Sequence, residues 1–91
     1  MIVRISGEGQ FRIPDDQSTK LNELDNKAVE VAAAKDEGQF NEIWNQILTL
    51  VEAGEELGDD ELVESDVILP PRDITFDEAC EEFTGEGLIP D

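Results

Sequence analysis

The strongest constraint on the fold is an apolar helical pattern in residues 40–51. Six apolar residues recur at spacings of three and four along one broad face of a helix, and only Leu50 lies off that face. The six are Phe40, Ile43, Trp44, Ile47, Leu48 and Val51. Because such a helix is not stable alone in water, we expect the flanking segments to pack over its apolar face.

Length and composition limit the chain to one small domain, residues 1–91, with a single core. No apolar run is long enough to span a membrane and no signal peptide opens the chain, so we expect a soluble, cytoplasmic protein. Cys80 is the only cysteine and histidine is absent. An internal disulfide and a zinc-thiolate cluster are therefore excluded, and the commonest general base is missing.

The net charge of −18 is distributed unevenly. Residues 1–35 carry five basic and six acidic side chains, whereas residues 36–91 carry Arg72 and eighteen acids. Such acidity is typical of proteins from salt-accumulating halophiles, because molar salt screens the self-repulsion. It is also compatible with a surface that binds a basic partner. Either interpretation disfavours binding to nucleic acid or to an anionic membrane.

Residues 2–13 have the pattern of a β-hairpin around Gly7, Glu8 and Gly9. The predicted register pairs Val3 with Ile13, Ile5 with Phe11, and Arg4 with Arg12. The four apolar residues then share the core face, and the two arginines lie opposite each other on the solvent face.

The next segment predicts two antiparallel helices. The first runs from about Gln17 to Lys35 with N-caps offered by Asp15 and Asp16, and the second is capped by Asp36 and ends near Ala53. Gly38 is expected to mark the break between them and Gly54 to follow the second helix. Residues 55–66 are predicted to be an acidic loop anchored by Leu57, Leu62 and Val63.

The last third of the chain predicts a short third helix. Residues 67–69 are either a brief edge strand or an extended packing segment, because two prolines follow them. Thr75 and Glu78 form a capping box for a helix that ends near Phe83, with Cys80 on its core face. Residues 87–90 are apolar and are expected to be tied down as an added strand. The fold class is thus α+β.

No catalytic set is apparent, because Ser18, Thr19 and Ser65 have no histidine to activate them. We therefore expect a protein that is not an enzyme and needs no cofactor. The acidic loop of residues 55–66 offers oxygen ligands to Ca²⁺ or Mg²⁺, but it lacks the spacing of an EF-hand. A solvated loop is the favoured interpretation, and a divalent-metal-binding protein is the alternative function.

The candidate partner-binding residues are Arg4, Arg12, Trp44, Leu88 and Ile89. Trp44 is expected in the core, with a surface contact to a partner as the alternative. The two arginines form either a solvated face or an anion contact, made with the chain's own acidic loop or with another protein. The apolar tail with Leu88 and Ile89 packs either on its own sheet or on a neighbour's.

Three separated blocks resemble the PspA-associated domain family, PspAA. They are residues 1–12 (MIVRISGEGQFR), residues 62–73 (LVESDVILPPRD) and residues 85–90 (GEGLIP), and the match extends over essentially the whole chain. The family occurs in archaea and bacteria beside PspA-like proteins, which are coiled-coil membrane-remodelling proteins of the phage-shock envelope-stress response. The resemblance implies a non-enzymatic accessory module whose partner is a PspA-like coiled coil or a companion of that system. The acidity suggests a haloarchaeal member.

Overall fold

The computed structural model describes residues 1–58 and 63–83, and within them the chain forms four strands and three helices. In chain order these are β1 (Ile2–Ile5), β2 (Gly9–Arg12), α1 (Asp15–Ala33), α2 (Glu37–Glu52), β3 (Glu55–Leu57), β4 (Val67–Leu69) and α3 (Phe76–Glu82). The predicted α+β class, N-terminal hairpin and helical hairpin are confirmed.

The β1–β2 hairpin has a different register from the predicted one. Val3 pairs with Phe11 and Arg4 pairs with Gln10, so each partner is displaced by two residues. The turn is centred on Gly7, whose φ of 82° favours glycine. Gly9, predicted to lie in the turn, is the first residue of β2. Because side chains alternate with a period of two, this displacement keeps Val3 and Phe11 on the core face. It also removes the predicted like-charge pair of Arg4 and Arg12.

The sheet has the order β3-β2-β1-β4, with β1 antiparallel to β2 and parallel to β4. The loop prediction is wrong for Glu55–Leu57, which forms β3 beside β2. Two glutamates in a three-residue segment give no strand signal, so this strand exists because β2 offers it an edge. Leu57 is buried as expected, whereas Val63 is 38% exposed. Among the described residues β4 lies at the edge of the sheet, which is the first of the two alternatives predicted for residues 67–69.

Helix α1 begins two residues before its predicted start. Pro14 occupies the N-cap without a side-chain bond, and Asp15 and Asp16 lie in the first turn rather than at the cap. Carboxylates are favoured there by the positive end of the helix dipole. The break between the helices is also misplaced in the prediction. It occurs at Lys35, whose φ is 60°, while Gly38 lies inside the first turn of α2.

Helix α2 packs the six predicted apolar residues into the core, and none is more than 5% exposed. Asp36 caps it as predicted, accepting a hydrogen bond from the Gln39 amide at 3.1 Å. Phe40 makes edge-to-face contacts with Phe76 and Phe83 at centroid distances of 5.6 and 5.3 Å. Aromatic pairs in this geometry add to the stabilisation from burial. This cluster joins α3 to the helical hairpin.

Gly54 allows α2 to end against the sheet. A Cβ at this position would lie 2.7 Å from the Arg12 carbonyl oxygen and 2.7 Å from Ile13 Cδ1. Its backbone does not need positive φ, so the requirement for glycine is one of space rather than conformation. The predicted position after the helix is confirmed, and the close approach is an additional role.

Helix α3 begins at the predicted capping box, in which Thr75 Oγ1 accepts from the Glu78 amide at 3.3 Å. Cys80 is partly buried against the core, and its Sγ donates to the Ala32 carbonyl oxygen at 3.7 Å. The thiol is therefore a packing residue between α3 and α1. The predicted strand at 87–90 lies outside the described residues.

Candidate functional site

The sheet has an inner face under the helices and an outer face that carries Arg4, Gln10, Arg12 and Ile68. Arg4 lies between Gln10 on β2 and Ile68 on β4. Ile68 is 60% exposed, and Arg4 is exposed beside it. Within residues 1–58 and 63–83, no carboxylate forms an ion pair with Arg4. A contact between Arg4 and an anion on another molecule stays a prediction.

The second half of the β3–β4 connection, residues 63–66, is fastened to the outer face by polar contacts. Gln10 Nε2 donates to the Val63 carbonyl oxygen at 3.0 Å and to Ser65 Oγ at 2.7 Å. Asp66 exchanges two bonds with Ile2, accepting from its amide through Oδ2 and donating to its carbonyl oxygen, both at 2.7 Å. Gln10 is only 8% exposed, and its two bonds satisfy the buried amide group.

Arg12 contacts an acid of its own chain. Its Nη1 lies 3.4 Å from Glu55 Oε2, across the β2–β3 pair, and both side chains are at least half exposed. An ion pair this exposed adds little to stability. The sequence left two contacts open for Arg12, and the structure contains the one with the chain's own acidic segment.

Arg72 has a role that sequence reasoning missed. Its guanidinium makes a two-point contact with Glu8, through Nε at 3.1 Å and Nη2 at 3.0 Å, and it also contacts Glu52. The hydrogen bond and the negative charge of Glu8 raise the pKa of Arg72. Its carbonyl oxygen accepts from Trp44 Nε1 at 3.3 Å. Arg72 thus ties the β1–β2 turn, the end of α2 and the chain before α3 together.

Trp44 lies in the core, at 5% exposure, with its ring edge-to-face against Phe83 at 5.8 Å. Its indole N–H is satisfied by the Arg72 carbonyl, as a buried tryptophan requires. The alternative of a direct partner contact stays a prediction, and it would require the ring to become more accessible. Leu88 and Ile89 lie outside the described residues.

A shallow groove runs along the helical side of the molecule, between α1 and α2. We call it the helical groove, and its volume is about 380 Å³. Leu24 and Leu50 are half-buried in its floor, at the margin of the core. Its lining consists of Gln17, Lys20, Leu24, Asn45, Gln46, Thr49, Leu50 and Ala53. The only charged residue in that lining is Lys20.

The helical groove continues into a wider depression at the β2–α1 junction. This depression has a volume of about 770 Å³ and shares Gln17, Leu50 and Ala53 with the groove. It reaches Met1 and Arg12 at the edge of the sheet. The two together form one continuous surface from the middle of α1 to the N-terminus of the chain.

No group of three or more potential metal ligands occurs among residues 1–58 and 63–83. Two acids of the proposed metal loop, Glu55 and Asp66, already contact Arg12 and the Ile2 amide. In the same parts of the chain, no helix is long and apolar enough to cross a membrane.

In a comparison with known families, the family model PspAA, described as PspA-Associated protein, matches residues 1–91. The chain belongs to the PspA-associated protein family. No curated protein and no solved structure shows significant similarity to it.

Two of the sequence blocks that resemble PspAA contact each other in the fold. The first block contributes Glu8 and Gln10, and the second contributes Ser65 and Arg72. The pairs are separated by 55 and 64 residues in sequence, and both contacts are polar. These two blocks thus contain residues that join the segments flanking β4 to the hairpin.

Proposed function

We propose that this PspA-associated protein is a non-enzymatic accessory module that binds a PspA-like coiled-coil protein of an envelope-stress membrane-maintenance system. The observation that supports it best is the family match over residues 1–91. The absence of histidine and the packing of Cys80 against Ala32 also favour a binding role over a catalytic one.

In this proposal the protein reaches the membrane through its partner. Six basic residues against twenty-four acidic ones make direct attraction to an anionic bilayer unfavourable. A PspA-like protein bound to the membrane would instead carry the module to the membrane periphery. Arg4, with no internal ion pair among the described residues, remains a candidate contact for that partner.

Co-purification tests the proposal. The tagged chain is expressed in its own cells and recovered from lysate at molar KCl, where non-specific charge attraction is screened. An unrelated protein of similar size and net charge serves as the control. We expect a PspA-like protein to be enriched with the tagged chain and not with the control. Repeated recovery of no PspA-like or companion protein would contradict the proposal.

A further inference from the structure

We propose that the helical groove is the docking surface for the partner, and that one amphipathic helix of the PspA-like protein occupies it. The docked helix presents apolar residues to Leu24 and Leu50 and carries carboxylates near Lys20. This inference rests on the proposed function, because it assigns the surface through which the same partner is bound.

The dimensions of the groove suit a short length of helix. From Asn45 to Ala53 the wall formed by α2 extends about 12 Å, or roughly two helical turns. A helix lying along two antiparallel helices completes a three-helix arrangement in which side-chain ridges fill the groove. The partner would therefore present anchors at i, i+3 or i+4, and i+7. Leu24 and Leu50 are the residues that such anchors would bury.

Charge distinguishes this groove from the rest of the surface. A chain of net charge −18 has here a lining of eight residues with no acid and a single cation, Lys20. Its continuation at the β2–α1 junction adds one cation, Arg12, and only two acids, Asp15 and Glu55. A helix that carries its own carboxylates would be repelled by most other surfaces but can approach this one. The amide groups of Gln17, Asn45 and Gln46 can bond to polar groups at the margin of such a helix.

The competing surfaces fit an acidic helix less well. The depression between β4 and α3 is lined by four acids, namely Asp73, Glu78, Glu81 and Glu82. The outer face of the sheet exposes Ile68, but the Gln10 side chain on the same face already bonds to Val63 and Ser65 of the chain itself. The helical groove combines an apolar floor, a lining without acidic residues, and accessibility from solvent.

Calorimetric titration of the full chain with the purified PspA-like protein tests the assignment. Leu50→Glu places a negative charge in the floor, and Thr49→Glu places one at an exposed position in the groove that does not disturb the core. We expect each to weaken binding about 30-fold or more, as for a central interface residue. Lys20→Glu should weaken it about 3-fold to 10-fold, and more at low salt, as for a rim charge.

Two control variants match these substitutions. Ile68→Glu adds the same charge to an exposed apolar residue on the sheet side, and Lys27→Glu reverses a charge on α1 outside the lining. Both should change the dissociation constant by less than about 2-fold. Thermal melts of every variant show whether it remains folded.

The outcomes are separable. If the unsubstituted chain binds and Thr49→Glu binds equally well, the groove assignment is overturned while the proposed function stands. If the unsubstituted chain does not bind the PspA-like protein, both are overturned. If Thr49→Glu abolishes self-association and leaves the PspA-like complex intact, a second copy is the occupant and the assignment is overturned.

Discussion

The helical side and the sheet side of this molecule are held in different ways. On the helical side, α2 buries six apolar residues against α1, α3 and the inner face of the sheet. On the sheet side, residues 63–66 are held by hydrogen bonds to Gln10 and Ile2. The helical side also has the acid-free groove, whereas the outer face of the sheet is partly covered by its own chain.

This difference distinguishes residues whose burial stabilises the whole fold from residues whose polar contacts position one strand. Apolar burial supplies most of the folding free energy, so the helical side should respond strongly to loss of volume. The polar contacts of the sheet side contribute less each, but they fix the position of β4 and its flanking segments. The following substitutions test this contrast, in order of decreasing expected effect.

Phe40→Ala should produce the largest loss of stability. Phe40 is 1% exposed and contacts two other aromatic rings, so its removal leaves a cavity between α2 and α3. We expect a loss of about 3–5 kcal/mol in the free energy of unfolding, measured by denaturant titration at molar KCl. Ile68→Ala on the outer face is the control and should cost less than about 0.5 kcal/mol. Equal losses would contradict the contrast.

Two glycine substitutions should have effects of opposite sign. Gly54→Ala introduces a methyl group against the Arg12 carbonyl and Ile13, and should cost about 1–3 kcal/mol. Gly38→Ala lies in the first turn of α2, where the nearest atom to the new Cβ is 3.8 Å away. It should stabilise the protein by up to about 1 kcal/mol. Thermal melts of the pair measure both, and destabilisation by Gly38→Ala would show that α2 starts differently.

Gln10→Ala tests the polar attachment on the sheet side. It removes the hydrogen bonds to the Val63 carbonyl and Ser65, and should cost about 1–2 kcal/mol. Hydrogen exchange should increase at the Asp66 amide, which donates to Ile2 beside the lost contact. Arg4→Ala, at the paired position on β1, is the control and should leave that amide protected. Unchanged exchange in Gln10→Ala would show that residues 63–66 do not depend on Gln10.

Arg72→Ala should have the smallest effect, and one that depends on salt. It removes the exposed contacts to Glu8 and Glu52, which weaken as KCl screens them.

The unsubstituted protein should gain thermal stability steeply from low to molar KCl if its acidity is a halophilic adaptation. The difference between the two proteins should narrow over the same range. A salt-independent melt of the unsubstituted protein would instead favour a dedicated acidic binding surface.

The sequence predicts the elements of this fold better than their connections. The spacing of Phe40 and its neighbours determines the buried face of α2, and Thr75 with Glu78 determines the start of α3. The alternation of apolar and polar residues determines which side chains of the hairpin face the core. The register depends on the position of the turn, and the glycines at positions 7 and 9 allow more than one position. The strand β3 depends on pairing with β2, which no local propensity in residues 55–57 indicates.

The residues of the candidate site are also only partly predictable from the sequence. Arg4 and Arg12 are on the predicted face, and the acidic loop is one of the two partners that the sequence leaves open for Arg12. No local pattern selects Glu55, 43 positions away, within that loop. Arg72 had a signal, as the one cation in the acidic part of the chain. Leu50 also has a signal in the sequence, because it is the one apolar residue of this pattern that lies off the buried face of α2. The groove it helps to form requires α1 and α2 together.

Site-specific photo-crosslinking tests most directly whether the helical side is the binding side. A photoreactive amino acid is placed at Gln46, exposed in the helical groove, or at Ile68, exposed on the sheet side. Each protein is irradiated in its own cells. We predict a crosslink to the PspA-like protein from position 46 and none from position 68. A crosslink from position 68 alone would contradict the account.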